Sequence, residues 1–169
     1  MTVRIGMIGP GGMGKAHIER IHSVIAGGRV VGVSDMNPDN AAAVAEKIGG
    51  VAFADSASLI NSPDVDAVMI TSFGPAHEVD VLACIAAGKP VFCEKPLTPT
   101  ADGALRIMDA EQAAGRKLVT VGFMRRFDRS YREMKDLIDS GEIGEVLMVH
   151  CAHRNPTVPE SYTWDMAIN

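Results

Sequence analysis

Short apolar segments alternate along the chain with longer segments whose apolar residues recur every three or four positions. The short segments predict strands and the longer ones predict helices, because these spacings match the side-chain periods of the two structures. Strands are predicted at residues 3–8, 30–33, 51–53, 65–70, 89–93 and 117–121. Helices are predicted between them at residues 13–26, 37–48, 56–60, 75–87 and 101–114. This alternation is typical of an α/β fold, in which helices cover both faces of a parallel sheet and the crossovers are right-handed.

The rhythm of the pattern changes after residue 122. A cationic and aromatic segment comes first, residues 130–138 then predict a helix, and the alternation at 145–151 predicts a strand. We therefore divide the chain into residues 1–122, a doubly wound parallel sheet, and residues 123–169, the beginning of an incomplete α+β domain. A lone strand at 145–151 exposes an unpaired edge, which favours association.

A glycine-rich turn joins the first predicted strand to the first helix, with the sequence Gly9-Pro10-Gly11-Gly12-Met13-Gly14. Gly9 allows the tight turn, Gly11 lets a pyrophosphate approach the backbone, and Gly14 lets the helix pack closely. The helix N-terminus adds free N–H groups and the positive end of a dipole. In this context the motif favours the dinucleotide-binding Rossmann fold, and the alternative is a glycine turn in another α/β domain.

An acidic residue follows the second predicted strand at the spacing of that fold. Asp35 lies 21 positions after Gly14, close to the expected separation of about 20. Its carboxylate can accept hydrogen bonds from a ribose diol and would repel a 2′-phosphate. Neither arginine nor lysine occurs at residues 36–38. The sequence therefore predicts NAD rather than NADP as the cofactor.

Composition limits the classes of partner. The 169 residues are 47% hydrophobic, which supports a packed core, and their net charge of −5 argues against nucleic acid. No apolar stretch reaches the roughly 18 residues of a membrane span, and the N-terminus lacks a signal-peptide pattern. The cysteines are scattered, which suits a reducing cytoplasm and gives no metal site. All three are predicted to be small buried hydrophobes: Cys84, Cys93 and Cys151.

A second motif, Glu94-Lys95-Pro96, ends the predicted strand at 89–93. Ligands of doubly wound sheets bind beyond the carboxyl ends of the strands, so Lys95 is expected to point into the cofactor crevice. The alternative is an ordinary surface lysine at the start of a loop. Pro96 restricts Lys95 to extended geometry, and the bond between them is either cis or trans.

Together these motifs resemble the Gfo/Idh/MocA family of NAD(P)-dependent sugar and polyol oxidoreductases, and the resemblance covers the whole chain. Its markers are the glycine turn, the Glu94-Lys95-Pro96 element, and Thr71-Ser72 followed by His77. Residues 122–128 and 153–156 are similar to the inositol 2-dehydrogenase branch of that family.

The resemblance implies a role for each group of matched residues. The pyrophosphate would lie against the glycine turn and the start of the helix: Gly9, Gly11, Gly12, Met13 and Gly14. The adenosine ribose would be held by Asp35 and its neighbour Met36. The other half of the cofactor would be lined by Thr71, Ser72, His77, Glu94 and Lys95. The substrate would be bound by Lys95, Arg125, His153 and Asn155.

The implied activity is transfer of a hydride from a hydroxyl of a cyclic polyol or sugar to NAD. The cofactor supplies the hydride acceptor, and the protein supplies orientation and proton handling. Lys95 would orient the alcohol and stabilise negative charge on its oxygen, while Arg125 and Asn155 offer fixed donors to a polyol. The resemblance also implies a homo-oligomer when the protein is full-length.

The chain departs from the family pattern where it ends. Family members follow a segment like residues 164–169 with an acid and, four positions later, a histidine that accepts the proton, and both would lie after Asn169. Two interpretations remain open. The chain is either part of an enzyme, which Lys95 favours, or a short product that binds NAD without turnover and serves as a sensor.

Other polar residues are interpreted without a metal. Glu78 and Asp80 are predicted to be acids of the first turn of their helix, where they suit its dipole, rather than metal ligands. His17 and His22 are predicted to lie on a helix surface. His150 and His153 are three positions apart on a predicted strand and would face opposite sides of it.

Overall fold

The six strands predicted before residue 122 form one parallel sheet. A computed structural model describes residues 2–152 and Arg154. The strands are β1 (Val3–Ile8), β2 (Gly28–Ser34), β3 (Val51–Ala52), β4 (Ala67–Ile70), β5 (Val91–Cys93) and β6 (Val119–Val121). Their order in the sheet is β3-β2-β1-β4-β5-β6. All neighbouring strands pair in parallel, which confirms the predicted doubly wound fold.

The helices lie where the spacing predicts them, with small shifts at their ends. They are α1 (Gly12–Ser23), α2 (Pro38–Ile48), α3 (Ser56–Asn61), α4 (His77–Ala86), α5 (Ala101–Ala113) and α6 (Arg129–Asp139). The first turn of the predicted 75–87 helix is a separate 3-10 helix at Gly74–Ala76. Asn37 begins α2 by accepting hydrogen bonds from two backbone N–H groups, and Pro38 suits the first helical position. None of the described helices is long and apolar enough to cross a membrane.

Apolar side chains are buried on both faces of the sheet. Buried residues of α1 and α2 pack on one face, and those of α3, α4 and α5 pack on the other. Met7 and the adjacent Ile8 of β1 belong to opposite clusters. Because both faces of β1 are buried, the strand reads as a continuous apolar run rather than as an alternation.

An ion pair attaches the start of β1 to the segment before β4. The Arg4 guanidinium donates from Nη2 to Oδ1 of Asp66 at 2.8 Å and from Nε to Oδ2 at 3.1 Å. The Arg4 backbone N–H also donates to Oδ2, at 2.8 Å. These hydrogen bonds lower the pKa of the Asp66 carboxyl to about 2.

The chain divides into two units, with the boundary between Gly122 and Phe123; unit 1 is Met1–Gly122 and unit 2 is Phe123–Asn169. In unit 2, Asp128 begins α6 by accepting a hydrogen bond from the Ser130 N–H at 3.0 Å. The strand predicted at 145–151 is wrong, because these residues have no strand structure and none of the described residues pairs with them. An alternating segment needs a partner for its backbone N–H and C=O groups before it becomes a strand.

Candidate functional site

The residues predicted to bind a cofactor lie together at one edge of the sheet. They follow the carboxyl ends of β1, β2, β4 and β5, or begin α1 and α4. The strand order reverses between β1 and β4, which are neighbours although two strands separate them in sequence. Such a switch point opens a crevice outside the carboxyl ends of the strands, and ligands of this fold bind there.

The glycine turn has the backbone that the motif predicts. Gly9 has a φ of +69°, and a Cβ there would clash with Ser72. A Cβ on Gly14 would lie 2.5 Å from Oγ1 of Thr71, so α1 approaches the end of β4 too closely for any side chain. Thr71 donates a hydrogen bond of 2.8 Å to the Gly9 carbonyl and fixes the turn from the other side.

The N-terminus of α1 is suited to an anion. Gly11 begins the helix without a side-chain hydrogen bond, and the first turn holds no acidic residue. A Cβ on Gly11 or Gly12 would meet nothing within 4 Å, so the backbone is accessible there. Met13 is 54% exposed beside it. Accessible N–H groups and the helix dipole fit a pyrophosphate.

Asp35 is held by the residues that follow it. Its Oδ1 accepts from the Asn37 N–H, and its Oδ2 accepts from Nδ2 of Asn40, both at 2.8 Å. Oδ1 of Asn40 in turn accepts from Nζ of Lys15 at 2.9 Å, which links the acid to α1. These contacts fix the position of the carboxylate, and its contact with a ribose diol stays a prediction.

A cavity of about 490 Å³ opens beside Asp35. Its walls include the exposed apolar side chains of Met36, Phe73 and Val79. The buried hydroxyl oxygens of Ser34 and Ser72, whose residues also line the cavity, have no hydrogen-bond partner in the described part of the chain. Apolar walls with a few polar groups are typical of a site for a flat heterocycle.

The charges of this cavity disfavour a second phosphate. Asp35, Asp55 and Asp80 line it, and within the described residues no arginine or lysine does. Burial raises the pKa of the Asp80 carboxyl, which is 8% exposed. An anionic group on the ribose would meet these carboxylates, while Nζ of Lys15 is already bonded to Asn40 outside the lining of the cavity.

His77 connects two of the loops at this edge. It is 1% exposed, with Nδ1 2.7 Å from the Pro96 carbonyl oxygen and Nε2 2.9 Å from that of Ser72. Its ring therefore fixes the loops after β4 and β5 relative to each other. Contact between His77 and the cofactor stays a prediction. Glu78 and Asp80 lie in the first turn of α4, as predicted.

The Glu94-Lys95 element follows β5. The Lys95 side chain is exposed, and the Lys95–Pro96 bond is cis. Glu94 is shielded: its side chain is 15% exposed, and its Oε1 accepts a hydrogen bond of 2.9 Å from Nε2 of His17. The prediction that His17 lies on a helix surface is therefore wrong, since its side chain is only 20% exposed.

Comparison with known proteins identifies the family of the chain. Residues 3–123 match the profile of the oxidoreductase family with an NAD-binding Rossmann fold, the Gfo/Idh/MocA family. The chain belongs to this family.

Family members with curated names cover nearly all of the chain. An inositol 2-dehydrogenase from Pseudomonas fluorescens is 55% identical over 99% of this chain and 51% of its own length. Inositol 2-dehydrogenase 3 from Saccharopolyspora erythraea is 54% identical, over 99% of this chain and 49% of its own. The chain thus spans about half the length of the curated relatives it matches.

Solved structures of family members also match the chain over less than half of their own length. A myo-inositol dehydrogenase from Lactobacillus casei, in complex with NAD(H) and myo-inositol, has a TM-score of 0.82 and 43% identity. The match covers 85% of this chain and 43% of the length of that protein. A scyllo-inositol dehydrogenase from the same organism, with NAD(H) and scyllo-inositol, has a TM-score of 0.79 and 31% identity, over 86% of this chain and 43% of that protein.

Sequence reasoning missed three residues at this family site: His17, Lys15 and Asn40. His17 had a usable signal, because it lies three positions after Gly14 and so shares the helix face that packs on the sheet. Lys15 gave no such signal, because its contact with Asn40 joins residues 25 positions apart. Asn40 lies only five positions from Asp35, but no motif at that spacing indicates the contact between them. Cys84 and Cys93 are buried as predicted, but the prediction for Cys151 is wrong, because it is exposed.

Of the predicted substrate residues, Lys95 belongs to unit 1 and Arg125 to unit 2. Arg125 donates from Nη1 to Oδ2 of Asp128 at 2.9 Å, and its guanidinium lies 4.9 Å from the centre of the Tyr131 ring. His153 and Asn155 lie outside the described residues. Among residues 2–152 and Arg154, no group of three or more His, Cys, Asp or Glu side chains could hold a metal ion.

Proposed function

We propose that this chain binds NAD and belongs to a dehydrogenase that oxidises a ring hydroxyl of an inositol or a related cyclic polyol. The observation that carries the proposal is the exposed Lys95 at the carboxyl end of β5, on the same edge as the glycine turn. The inositol 2-dehydrogenases matched at 54–55% identity support this substrate class.

Two groups of residues would hold the cofactor. The N–H groups at the start of α1 would bind the pyrophosphate, and Asp35, oriented by Asn40, would bind the adenosine ribose. The cavity beside Asp35 would take the adenine. Bound NAD supplies the hydride acceptor. The carboxylates that line this cavity support NAD over NADP.

Lys95 would orient the substrate. Its exposed ammonium would donate a hydrogen bond to the hydroxyl and stabilise negative charge as the proton leaves. The resemblance assigns the polyol's other hydroxyls to Arg125, His153 and Asn155, and assigns the proton to a histidine that family members carry later in the chain. We also propose a homo-oligomer in the cytoplasm, which light scattering of the purified full-length protein would test.

Replacement of Lys95 tests the catalytic role in the protein encoded by the complete reading frame. We expect Lys95→Ala to lower turnover of myo-inositol at least about hundredfold, with NADH affinity within about threefold of the unmodified protein. The control is Lys117→Ala, which removes another exposed lysine and should leave turnover unchanged. If the unmodified full-length protein formed no NADH from any member of a broad polyol panel, the dehydrogenase proposal would be overturned.

A second candidate is an NAD sensor without turnover. It is supported by the placement of every predicted cofactor residue in unit 1, so that NAD binding would need no predicted residue of unit 2. Sequencing the gene past the codon for Asn169 separates the two candidates. An acid and, four codons later, a histidine in frame would favour the dehydrogenase, whereas an immediate stop codon would favour the sensor.

A further inference from the structure

A shielded contact joins the helix of the glycine turn to the lysine loop. His17 of α1 donates from Nε2 to Oε1 of Glu94 at 2.9 Å, and the two residues are 77 positions apart in sequence. Their side chains are 20% and 15% exposed, so solvent screens the contact less than it screens a surface pair. The His17 ring also packs edge-on against Phe92, with ring centroids 5.8 Å apart. The imidazole is therefore fixed from two sides.

The second oxygen of the same carboxylate faces the lysine. Oε2 of Glu94 accepts a hydrogen bond of 3.2 Å from the backbone N–H of Lys95. The Glu94 backbone N–H donates to the Ile70 carbonyl at 2.9 Å, which attaches the residue to the end of β4. The Glu94 carboxylate thus lies between α1 and the Lys95 backbone, with a donor on each oxygen.

We propose that His17 is a positioning residue that holds the Glu94 carboxylate and, through it, the Lys95 backbone. The contact links the turn that would bind the pyrophosphate to the loop that would face the nicotinamide, so that both halves of the site share one arrangement. Without His17, a shielded carboxylate oxygen loses its donor and the side chain can leave the Lys95 N–H. The inference rests on the proposed function only in its consequence for NAD binding.

The first measurement is made on the chain without NAD. We expect His17→Ala to speed amide hydrogen exchange at Lys95 about tenfold, the change expected for loss of one charge-assisted hydrogen bond. His17→Gln, whose amide can donate from a similar position, should restore most of the protection. The matched control is His22→Gln, which alters a histidine on the same helix that accepts from the Val30 N–H and does not touch Glu94.

The second measurement separates the two halves of the cofactor. We expect His17→Ala to weaken NADH about tenfold in a fluorescence titration, while affinity for ADP-ribose, which lacks the nicotinamide, changes less than about twofold. Equal weakening of NADH and ADP-ribose would overturn the proposal, because His17 would then act on the glycine turn or on the fold as a whole. Unchanged exchange at Lys95, or failure of His17→Gln to rescue, would also overturn it.

A second variant covers the case in which His17→Ala does not fold. His17→Phe keeps a ring against Phe92 but removes the donor to Glu94, so it should give the same fast exchange at Lys95. Glu94→Ala removes the acceptor itself, so adding His17→Phe to it should speed exchange at Lys95 no further, as expected for residues that act through one contact. If the unmodified chain bound no NADH, the proposed function would fail, while exchange at Lys95 would still decide whether His17 fixes the loop.

Discussion

Unit 1 and unit 2 differ in what they bury. Unit 1 packs apolar side chains on both faces of its sheet, and Ile70 and Val81 are 0% exposed. In unit 2 no described residue is buried, and Leu147 and Met148 are 90% and 88% exposed. The predicted cofactor residues therefore rest on a packed sheet. Arg125, a predicted substrate residue, lies on a segment whose described residues form no core.

The largest expected effect comes from the core of unit 1. Ile70→Ala should lower the free energy of unfolding by about 2–5 kcal/mol, because it leaves a cavity in a fully buried cluster. Leu147→Ala, at a 90% exposed position of unit 2, should change it by less than about 0.5 kcal/mol. Urea denaturation of both variants measures the difference. Similar losses in the two would refute the contrast between the units.

The glycine turn gives the next largest effect. Gly9→Ala and Gly49→Ala both place a side chain at positive φ, +69° and +62°, so the conformation alone should cost each about 1–2 kcal/mol of stability. Only the Gly9 variant also forces a Cβ against Ser72, and a Cβ at Gly49 meets nothing within 4 Å. We therefore expect Gly9→Ala to lose NADH binding and Gly49→Ala to keep it, as measured by fluorescence titration of folded protein.

Within unit 1, Asp35 is expected to set the preference for NADH over NADPH. Asp35→Ser should reduce the preference for NADH over NADPH by about tenfold, because it removes a charge that repels the 2′-phosphate and a bond to the ribose. Asp39→Ser removes a nearby exposed acid and is the matched control. Equal affinity of the unmodified chain for the two nucleotides would contradict the role assigned to Asp35.

The smallest effect is expected from the Arg4–Asp66 pair. Arg4 holds the pKa of Asp66 at about 2, below its usual 3.8, so the folded state gains stability from the ionised carboxylate above about pH 4. This gain is lost as the pH falls through 2. Asp66→Asn should therefore flatten the fall of the urea midpoint between pH 4 and 2.5. Asp64→Asn, which removes the more exposed partner of Arg4, should leave most of that fall.

Local chemistry explains which parts of this structure the sequence could predict. The turn at Gly9 and the cap at Asn37 depend on neighbouring residues, and both are visible as motifs. The His17–Glu94 contact depends on the order in which strands pair, which no local window contains. The strand prediction at 145–151 is wrong for a related reason. Alternation of apolar and polar residues describes the two faces of a strand, but it does not specify which strand pairs with it.

The central place of β1 orders events during synthesis. Val3–Ile8 is made before both of its neighbours in the sheet, β2 and Ala67–Ile70 of β4, so one edge of β1 stays open until about sixty more residues have left the ribosome. Long-range pairings of this kind form slowly, because the chain loses the entropy of closing a long loop before the new contacts stabilise it. The carboxylate of Glu94 emerges later still. The edge of the sheet that would receive the nucleotide is therefore completed only after β1 has paired with both of its neighbours.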